Sequence, residues 1–416
     1  MDAQTAPAPA AGKTMLPRWE FIALAAALMS LNALAVDIML PGLQQIGAAL
    51  GENDENNRQL VITAYLGGLA LAQLFFGPIS DRFGRRMPLL VGLGIYVLAG
   101  AACVFVPSFE AMLVLRFVQG LGAASTRVIA ISVVRDSFGG RAMAEVMSLV
   151  FMVFMVIPVL APSIGQIIML VWDWPEIFAA MSVIGFAVAV WTYARLPETL
   201  REEHRRPFRL STIIEGFRIV LTTRVSVGYS AALAIIFGAL FGFINSAQQI
   251  YVDIYDRGAS FPLYFALVAG TMALMSFVNS RLVGRFGMRR LAHSASIGFM
   301  LTNGVAFVIS LLGPMPFWLF ISIYMFAMAQ FALIGSNFNA LAMEPLGHVA
   351  GTASSILGFA QTAFGAALGA MVGLAFDGTI VPLAAGYFFF ALFALIMVLI
   401  AERGVLFRPQ NEPPRG

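Results

Sequence analysis

Two ionisable residues sit where ionisable residues are scarce. Asp37 closes an apolar run that starts near residue 19, with Pro41 and Gly42 just beyond it, and Arg116 lies inside another apolar run. A charge in such a run costs several kcal/mol unless it is paired or hydrated, so each marks a place where chemistry outweighs stability. On a helix, Ser30, Ala33 and Leu34 share the face of Asp37. A carboxylate beneath a small-residue strip suits the wall of a watery cavity, where it can take up and release protons near neutral pH. The alternative, a helix-end anchor, is disfavoured because an acid at a C-terminal end faces the negative pole of the helix dipole. Arg116 shares a face with Gln119, Gly120, Ala123 and Arg127. As a permanent cation it needs a carboxylate, backbone carbonyls or cavity water. A partnership with Asp37 in one conformation and not in another would couple a proton to a movement. Arg127, nearer the cytoplasmic end, reads as a snorkelling side chain.

The elements that must hold these residues are legible in the hydropathy. Hydrophobic residues make up 60% of the 416, charged residues 11%, and mean hydropathy is +0.86. A soluble domain carries about 25% charge. Apolar runs long enough for a helix to cross hydrocarbon, about 20 residues, fall near 19–40, 58–79, 88–107, 110–131, 143–170 and 176–195. Six more fall near 226–250, 260–280, 291–312, 316–339, 350–375 and 382–401. Backbone amides in hydrocarbon must be satisfied within the segment, so the runs are helices, and they lack the alternation of barrel strands. With a cytoplasmic N-terminus, the basic residues outside the spans all fall inside except Arg58 and Arg257, which places both termini in the cytoplasm. Lys13 and Arg18 before the first run resemble a signal peptide, but no small-residue cleavage site follows, so the run is read as a retained span.

The turn Gly77-Pro-Ile-Ser-Asp81-Arg82-Phe-Gly84-Arg85-Arg86 is echoed by Val283-Gly-Arg285-Phe-Gly287-Met-Arg289-Arg290 about 200 residues later, which makes the chain two related halves. The expected fold is an all-α membrane protein of twelve transmembrane helices in two pseudo-symmetric six-helix bundles. Residues 18–196 form the first bundle and 225–403 the second. A disordered tail (1–17) precedes them, a charged cytoplasmic linker (197–224) with an amphipathic helix at 211–222 joins them, and a tail (404–416) follows. Gly365, Gly369 and Gly373 share one helix face and allow close helix approach. Pro158, Ala161, Pro162 and Gly165 mark a bent, tightly packed fifth span.

Polar and aromatic groups inside the spans are cavity candidates: Asn32, Ala33, Tyr65, Gln73, Phe237, Phe241, Phe243, Asn245, Gln248, Asn337, Asn339 and Gln361. An unpaired amide is costly in hydrocarbon, so the polar members stand above the aromatic ones. The single cysteine, Cys103, can form no intramolecular disulfide, and His204, His293 and His348 lie at span edges without an expected coupling role. No phosphate-binding loop, metal-ligand spacing or nucleophile arrangement is present. Neither an enzymatic activity nor a cofactor, metal or nucleic-acid partner is expected, and transport must draw on ion gradients.

Gly77–Arg86 resembles the loop signature between the second and third helices of the major facilitator superfamily. Leu113-Val-Leu-Arg116-Phe-Val-Gln119-Gly120 resembles its fourth-helix motif, and Pro158–Gly165 its fifth-helix antiporter motif, with Ala161 in the usual glycine place. Asp37-Ile-Met-Leu-Pro41, Val134-Arg-Asp136, Leu196-Pro-Glu198-Thr199 and Asn245–Tyr251 narrow the likeness to the twelve-helix drug:proton antiporters, nearest the Bcr/CflA branch. That resemblance implies an inner-membrane, monomeric exporter of antibiotics such as bicyclomycin and phenicols, exchanging drug for protons. It implies that Asp37 is the protonation site and that Arg116 couples proton exchange to movement. Gly77, Asp81, Arg82, Gly84, Arg85 and Arg86 would form a cytoplasmic latch, Asp81 meeting the N-terminus of the eleventh span near Gly351. Met29 stands where some multidrug relatives carry a second acid, and Gly284 where the repeat would carry the counterpart of Asp81. Rival readings are a proton-coupled exporter of a native metabolite, an amino acid or sugar, and a non-transporting membrane receptor on the same scaffold.

Overall fold

A computed structural model describes residues 16–138, 140–200, 202–205 and 210–407. Most of the two expected tails and parts of the linker lie outside the described residues. The first half contains α1 (Arg18–Asp37), a short α2 (Leu43–Ala49), α3 (Leu60–Phe83), α4 (Arg86–Cys103), α5 (Phe109–Ser137), α6 (Gly140–Val171) and α7 (Pro175–Arg195). The linker contributes α8 (Leu210–Thr222), and the second half α9 (Arg224–Gln249), α10 (Phe261–Phe286) and α11 (Met288–Leu312). It closes with α12 (Phe317–Met343), α13 (Ala350–Leu374) and α14 (Val381–Ala401). No strand occurs among the described residues.

The apolar runs became helices, with ends that charge alone did not locate. The expected second and fourth spans stop near 79 and 131, whereas α3 runs on to Phe83 and α5 to Ser137. Hydropathy falls where Asp81, Arg82, Arg135 and Asp136 begin, but the helix continues because these charges lie at its end and find partners. The first run is shorter as a helix than expected: α1 ends at Asp37, and Pro41 opens a 3-10 turn (Leu40–Gly42) before α2. Pro175, Pro262 and Pro382 fall in the first turns of α7, α10 and α14, where a missing amide costs nothing. Gly84 (φ +88°) and Gly287 (φ +79°) end α3 and α10 at matching places in the two basic turns. A side chain there would force the left-handed strain that glycine avoids.

The halves repeat one another in their pairings. In the first, α3 packs on α5, α4 on α5, α1 on α6 and α4 on α7; in the second, α10 packs on α12, α11 on α12, α9 on α13 and α11 on α14. The bundles meet along α3–α13 and α6–α10, pairs that the same repeat relates. Backbones touch where small residues permit: a Cβ at Gly120 would collide with the Tyr65 carbonyl, and one at Gly68 with that of Phe117. Large apolar side chains such as Leu98, Leu170, Phe186, Leu312 and Trp318 point outward and are mostly exposed, an arrangement that suits lipid and not water. The amphipathic helix expected at 211–222 is α8, which rests on α9 and α13.

Candidate functional site

Arg116 is wholly buried at the junction of three helices of the first bundle. Its Nη2 donates to the Ala35 carbonyl of α1 at 2.8 Å, its Nε to the Val61 carbonyl of α3 at 3.3 Å, and its Nη1 to Gln119 Oε1 at 2.6 Å. The guanidinium also lies over the Tyr65 ring, 4.5 Å from its centroid. Of the partners open to it, this conformation uses backbone carbonyls and a carboxamide. Such a fork suits arginine and not lysine, since an ammonium's three donors leave from one nitrogen and cannot reach acceptors set apart on three helices.

Asp37 stands two residues past the carbonyl that Arg116 holds, on the last residue of α1. It is 4% exposed and has no ion pair or hydrogen bond among the described residues. Beside it, Gly165 of α6 is pressed on the Ile38 carbonyl so closely that a Cβ there would collide with it. Ala161 is also buried, and Pro158 and Pro162 are both inside α6. The proline-rich stretch of the fifth span therefore abuts the helix end that carries the lone carboxylate.

One helical turn and more from Asp37, Asn32 donates to Thr126 Oγ1 of α5 at 2.8 Å and receives the Tyr65 hydroxyl at 3.4 Å. Ala33 is half-buried next to it. These groups, with Arg116, form one polar cluster of α1, α3 and α5. The other cavity candidates, apart from Gln73 of α3, are spread over the second bundle. Phe237 and Phe241 contact each other and fill the α9–α13 seam against Gly365, with Phe241 also on Gly369. The Asn245 carboxamide is buried with neither of its polar atoms bonded among the described residues. Gln248 reaches across the halves to Gln44 Oε1 at 3.4 Å. Asn337 donates to Asn279 Oδ1 at 2.8 Å and so joins α12 to α10, and Gln361 is buried on α13.

At the opposite end of the bundle the first basic turn forms an ion cluster. Arg85 is 2% exposed and donates to Asp81 Oδ1 at 2.6 Å, to Ser80 Oγ at 2.8 Å and, through Nε, to Asp136 Oδ2 at 2.7 Å. Burial alone would lower the pKa of Arg85, but the Asp136 and Asp81 carboxylates outweigh it and raise it. Glu198 accepts from the backbone amides of Arg85 and Arg86 at 2.8 and 3.1 Å, satisfying the open start of α4. Gly84 leaves room for that carboxylate. Arg86 donates to the Tyr193 carbonyl at 2.6 Å, and Arg82 lies over the Phe83 ring. Gly77 meets α13 at Ser355. The described partner of Asp81 is thus Arg85 of its own turn, and the side chains of 347–352, where α13 begins, lie outside the described ones.

Sequence reasoning missed three groups. Asp136 and Glu198 stand in the sequence as motif letters that carry no sign of their role in holding Arg85 and Arg86. The second half has its own cluster: Arg289 donates to Glu402 Oε1 at 2.8 Å, Tyr229 donates to the same oxygen at 2.7 Å, and His293 Nε2 lies 2.8 Å from the Tyr229 hydroxyl. Burial would raise the pKa of Glu402, but the bonds from Tyr229 and Arg289 lower it. The available signal was the repeat itself, since Glu402 ends the last span much as Glu198 follows the sixth. The third group is Asn56, which bridges the halves at the Asp37 end. It donates to the Leu374 and Phe376 carbonyls at 3.2 and 2.8 Å and accepts from Gln249 at 2.8 Å. A neutral residue in a polar loop carries no sequence signal for such a contact.

Residues 22–370 match the pattern that defines the Major Facilitator Superfamily. The chain is 32% identical over 353 residues to the bicyclomycin resistance protein homolog of Haemophilus influenzae, covering 85% of this chain and 88% of that one. It is 33% identical over 362 residues to an uncharacterized MFS-type transporter, YdgK, of Bacillus subtilis, covering 85% and 88%. It is 31% identical over 357 residues to the multidrug resistance protein MdtL of Escherichia fergusonii, covering 82% and 85%. Among solved structures it resembles the xylose transporter XylE of E. coli in a partially occluded inward-open conformation, with a TM-score of 0.71 at 14% identity over 93% of this chain and 98% of that one. It also resembles a bacterial homolog of the human lysosomal transporter Spinster, with a TM-score of 0.71 at 15% identity over 94% and 99%. At such identities the two structures bear on the fold alone.

Proposed function

Because the chain belongs to the Major Facilitator Superfamily, we propose that this transporter is a proton-coupled antiporter that exports small amphipathic antibiotics, phenicol- or bicyclomycin-like, across the inner membrane. It works as a monomer by alternating access, the bundles 18–196 and 225–403 rocking on the linker 197–224 about a site between them. The Arg85 end and both termini face the cytoplasm, in line with the basic residues gathered there. The relatives named for bicyclomycin and multidrug resistance support this cargo class.

The observation that carries the reading is Asp37. It is buried without a described partner, at a helix end that α6 presses on and that Arg116 grips two residues away. A carboxylate so placed changes protonation when the bundles shift its access to water, and the change is felt at once by the α1–α6 seam. Protonation from outside then displaces drug and allows the inward-facing state to return. Drug entering from the cytoplasm expels the proton. Arg85 with Asp81, Asp136 and Glu198 stiffens the cytoplasmic turn beside the α3–α13 contact and acts as the latch.

A drug panel in an efflux-deficient host, with purified protein assayed for proton release on drug addition, tests this. Wild type is expected to raise resistance and release protons, and Asp37→Asn to do neither. Export of an amino acid or sugar without drug resistance would give the native-metabolite reading, and ligand binding without export the receptor reading.

A further inference from the structure

Among the described residues, Arg127 is a second arginine inside a span, and unlike Arg116 it has no part in the coupling machinery. It lies 11 residues along α5 from Arg116, about 16 Å at 1.5 Å per residue, and 10 residues before the helix end at Ser137, about 15 Å.

Its direction follows from its neighbours. Thr126 is bonded to Asn32, and Ala130 and Val133 line a small apolar pocket with Phe21, Leu24 and Leu28, so that face of α5 meets α1. Gly120 packs on the Tyr65 and Leu69 backbone, Phe117 on Gly68, and Val128 lies near Gly77, so a second face meets α3. At 100° per residue position 127 falls between those two faces, in line with Arg116 and Ala123. The helices α1 and α3 pack on α5 and not tightly on each other. Position 127 therefore lies over the seam between them, and Arg127 is half-buried.

Arg127 has no ion pair or hydrogen bond among the described residues. Among the described residues, no carboxylate is stationed to neutralise it from another element. Glu20, Asp81, Asp136, Glu145, Glu344 and Glu402 are engaged at the span ends, with Arg195, Arg85, Arg18 or Arg289. Asp37 sits at the level of Arg116. A second unpartnered group lies at the depth of Arg127. Gln73 of α3, one turn from Gly77, is 2% exposed, and neither atom of its carboxamide is bonded among the described residues. Its oxygen approaches the Gly358 position of α13, so it stands where the two bundles meet. A guanidinium and a carboxamide N–H together present the donor set that recognises a planar oxyanion.

We propose that Arg127, with Gln73, binds an anionic group of the cargo, so that the favoured substrates are amphipaths bearing a carboxylate or a comparable oxyanion. The inference rests on the reading of the chain as a small-molecule exporter and adds to the neutral phenicol- and bicyclomycin-like cargo a favoured class of anionic amphipaths. It places a cation-paired cargo on the same helix face as Arg116, with Asp37 left free for the proton.

The test is equilibrium binding to purified protein in phosphatidylcholine nanodiscs, without a proton gradient. Matched probes are chloramphenicol hemisuccinate against chloramphenicol, and 2-naphthoate against 2-naphthamide. Wild type is expected to prefer the anion of each pair. Arg127→Gln should weaken the anions by at least about tenfold, as loss of a charge-assisted bond does, and change the neutral probes less than about twofold. Arg127→Lys should retain part of the preference, and Gln73→Ala should lose part of it with the fold intact. Equal effects on both members of each pair, no effect, or no anion preference in wild type would overturn the proposal. So would loss of the preference when phosphatidylglycerol is added, since the anion site would then serve lipid headgroups. Because no gradient is applied, a failure of Asp37→Asn to stop export leaves this result untouched, and an anion-blind Arg127 leaves proton coupling untouched.

Discussion

Arg116 shows how much one side chain can organise. Its three bonds tie the end of α1, the start of α3 and Gln119 of α5 into one unit. Its positive charge is stabilised by carbonyl dipoles and the Tyr65 ring, leaving Asp37 ungripped in this conformation. A lysine would keep the charge and lose the fork. Arg116→Lys is therefore expected to fold and bind drug within about threefold of wild type, yet to lose at least about tenfold in transport rate, the cost of about 1.4 kcal/mol in the moving step. Counterflow in proteoliposomes beside an equilibrium binding curve separates the two. Equal loss in both measurements would mean that Arg116 only holds the cluster together.

The α1–α6 seam is built for closeness. Gly165 lies on the Ile38 carbonyl, and Gly42 lies near Ile177 and Met169, so the chain just after Asp37 is hemmed in by α6 and α7. The prolines of α6 remove backbone hydrogen bonds and let that helix bend around the α1 end. Adding one methyl at Gly165 must push two backbones apart. Gly165→Ala is expected to cost about 1–3 kcal/mol of stability, the usual range for overpacking, seen as a lower melting temperature in detergent, and to uncouple proton release from drug addition. An alanine variant with wild-type melting and coupling would show that the seam gives way easily. The matching ends of α3 and α10 make a different point. Both need a glycine at positive φ, but only Gly84 also leaves space for a carboxylate, that of Glu198.

Across the whole molecule the two bundles touch through α3–α13 and α6–α10, and at the Asp37 end neutral amides join them. Asn56 alone makes three of these bonds, to α9, to the Leu374 carbonyl and to the Phe376 carbonyl. Under the alternating-access reading proposed above, uncharged bonds of about 1 kcal/mol each suit a gate that opens and shuts at every cycle, where a buried ion pair would hold too firmly. Asn56→Ala is expected to raise outer accessibility about tenfold. The measurement is maleimide labelling of Gln248→Cys from outside, in a Cys103→Ser background. An unchanged labelling rate would show that the Asn56 bonds do not hold the gate.

Hydropathy and the duplicated basic turn were enough for the helices, their order and the division into related halves, because a span must be apolar along its whole length and the repeat is written in the letters. Asp37 and Arg116 were legible for a similar reason: a charge in an apolar run is conspicuous. Asn56, Glu402 and the emptiness around Arg127 were not, since neutral amides and helix-end acids look alike wherever they fall. What the residues alone determined is which side chains are costly and therefore meaningful. The tertiary structure decided who answers each of them. Arg116 is met by carbonyls from two other helices, Arg85 by acids brought from α3 and α5, and Arg127 by none among the described residues. Partnership in a bundle is set by which helices pack and at what depth, and that depends on distances between segments that no local pattern records.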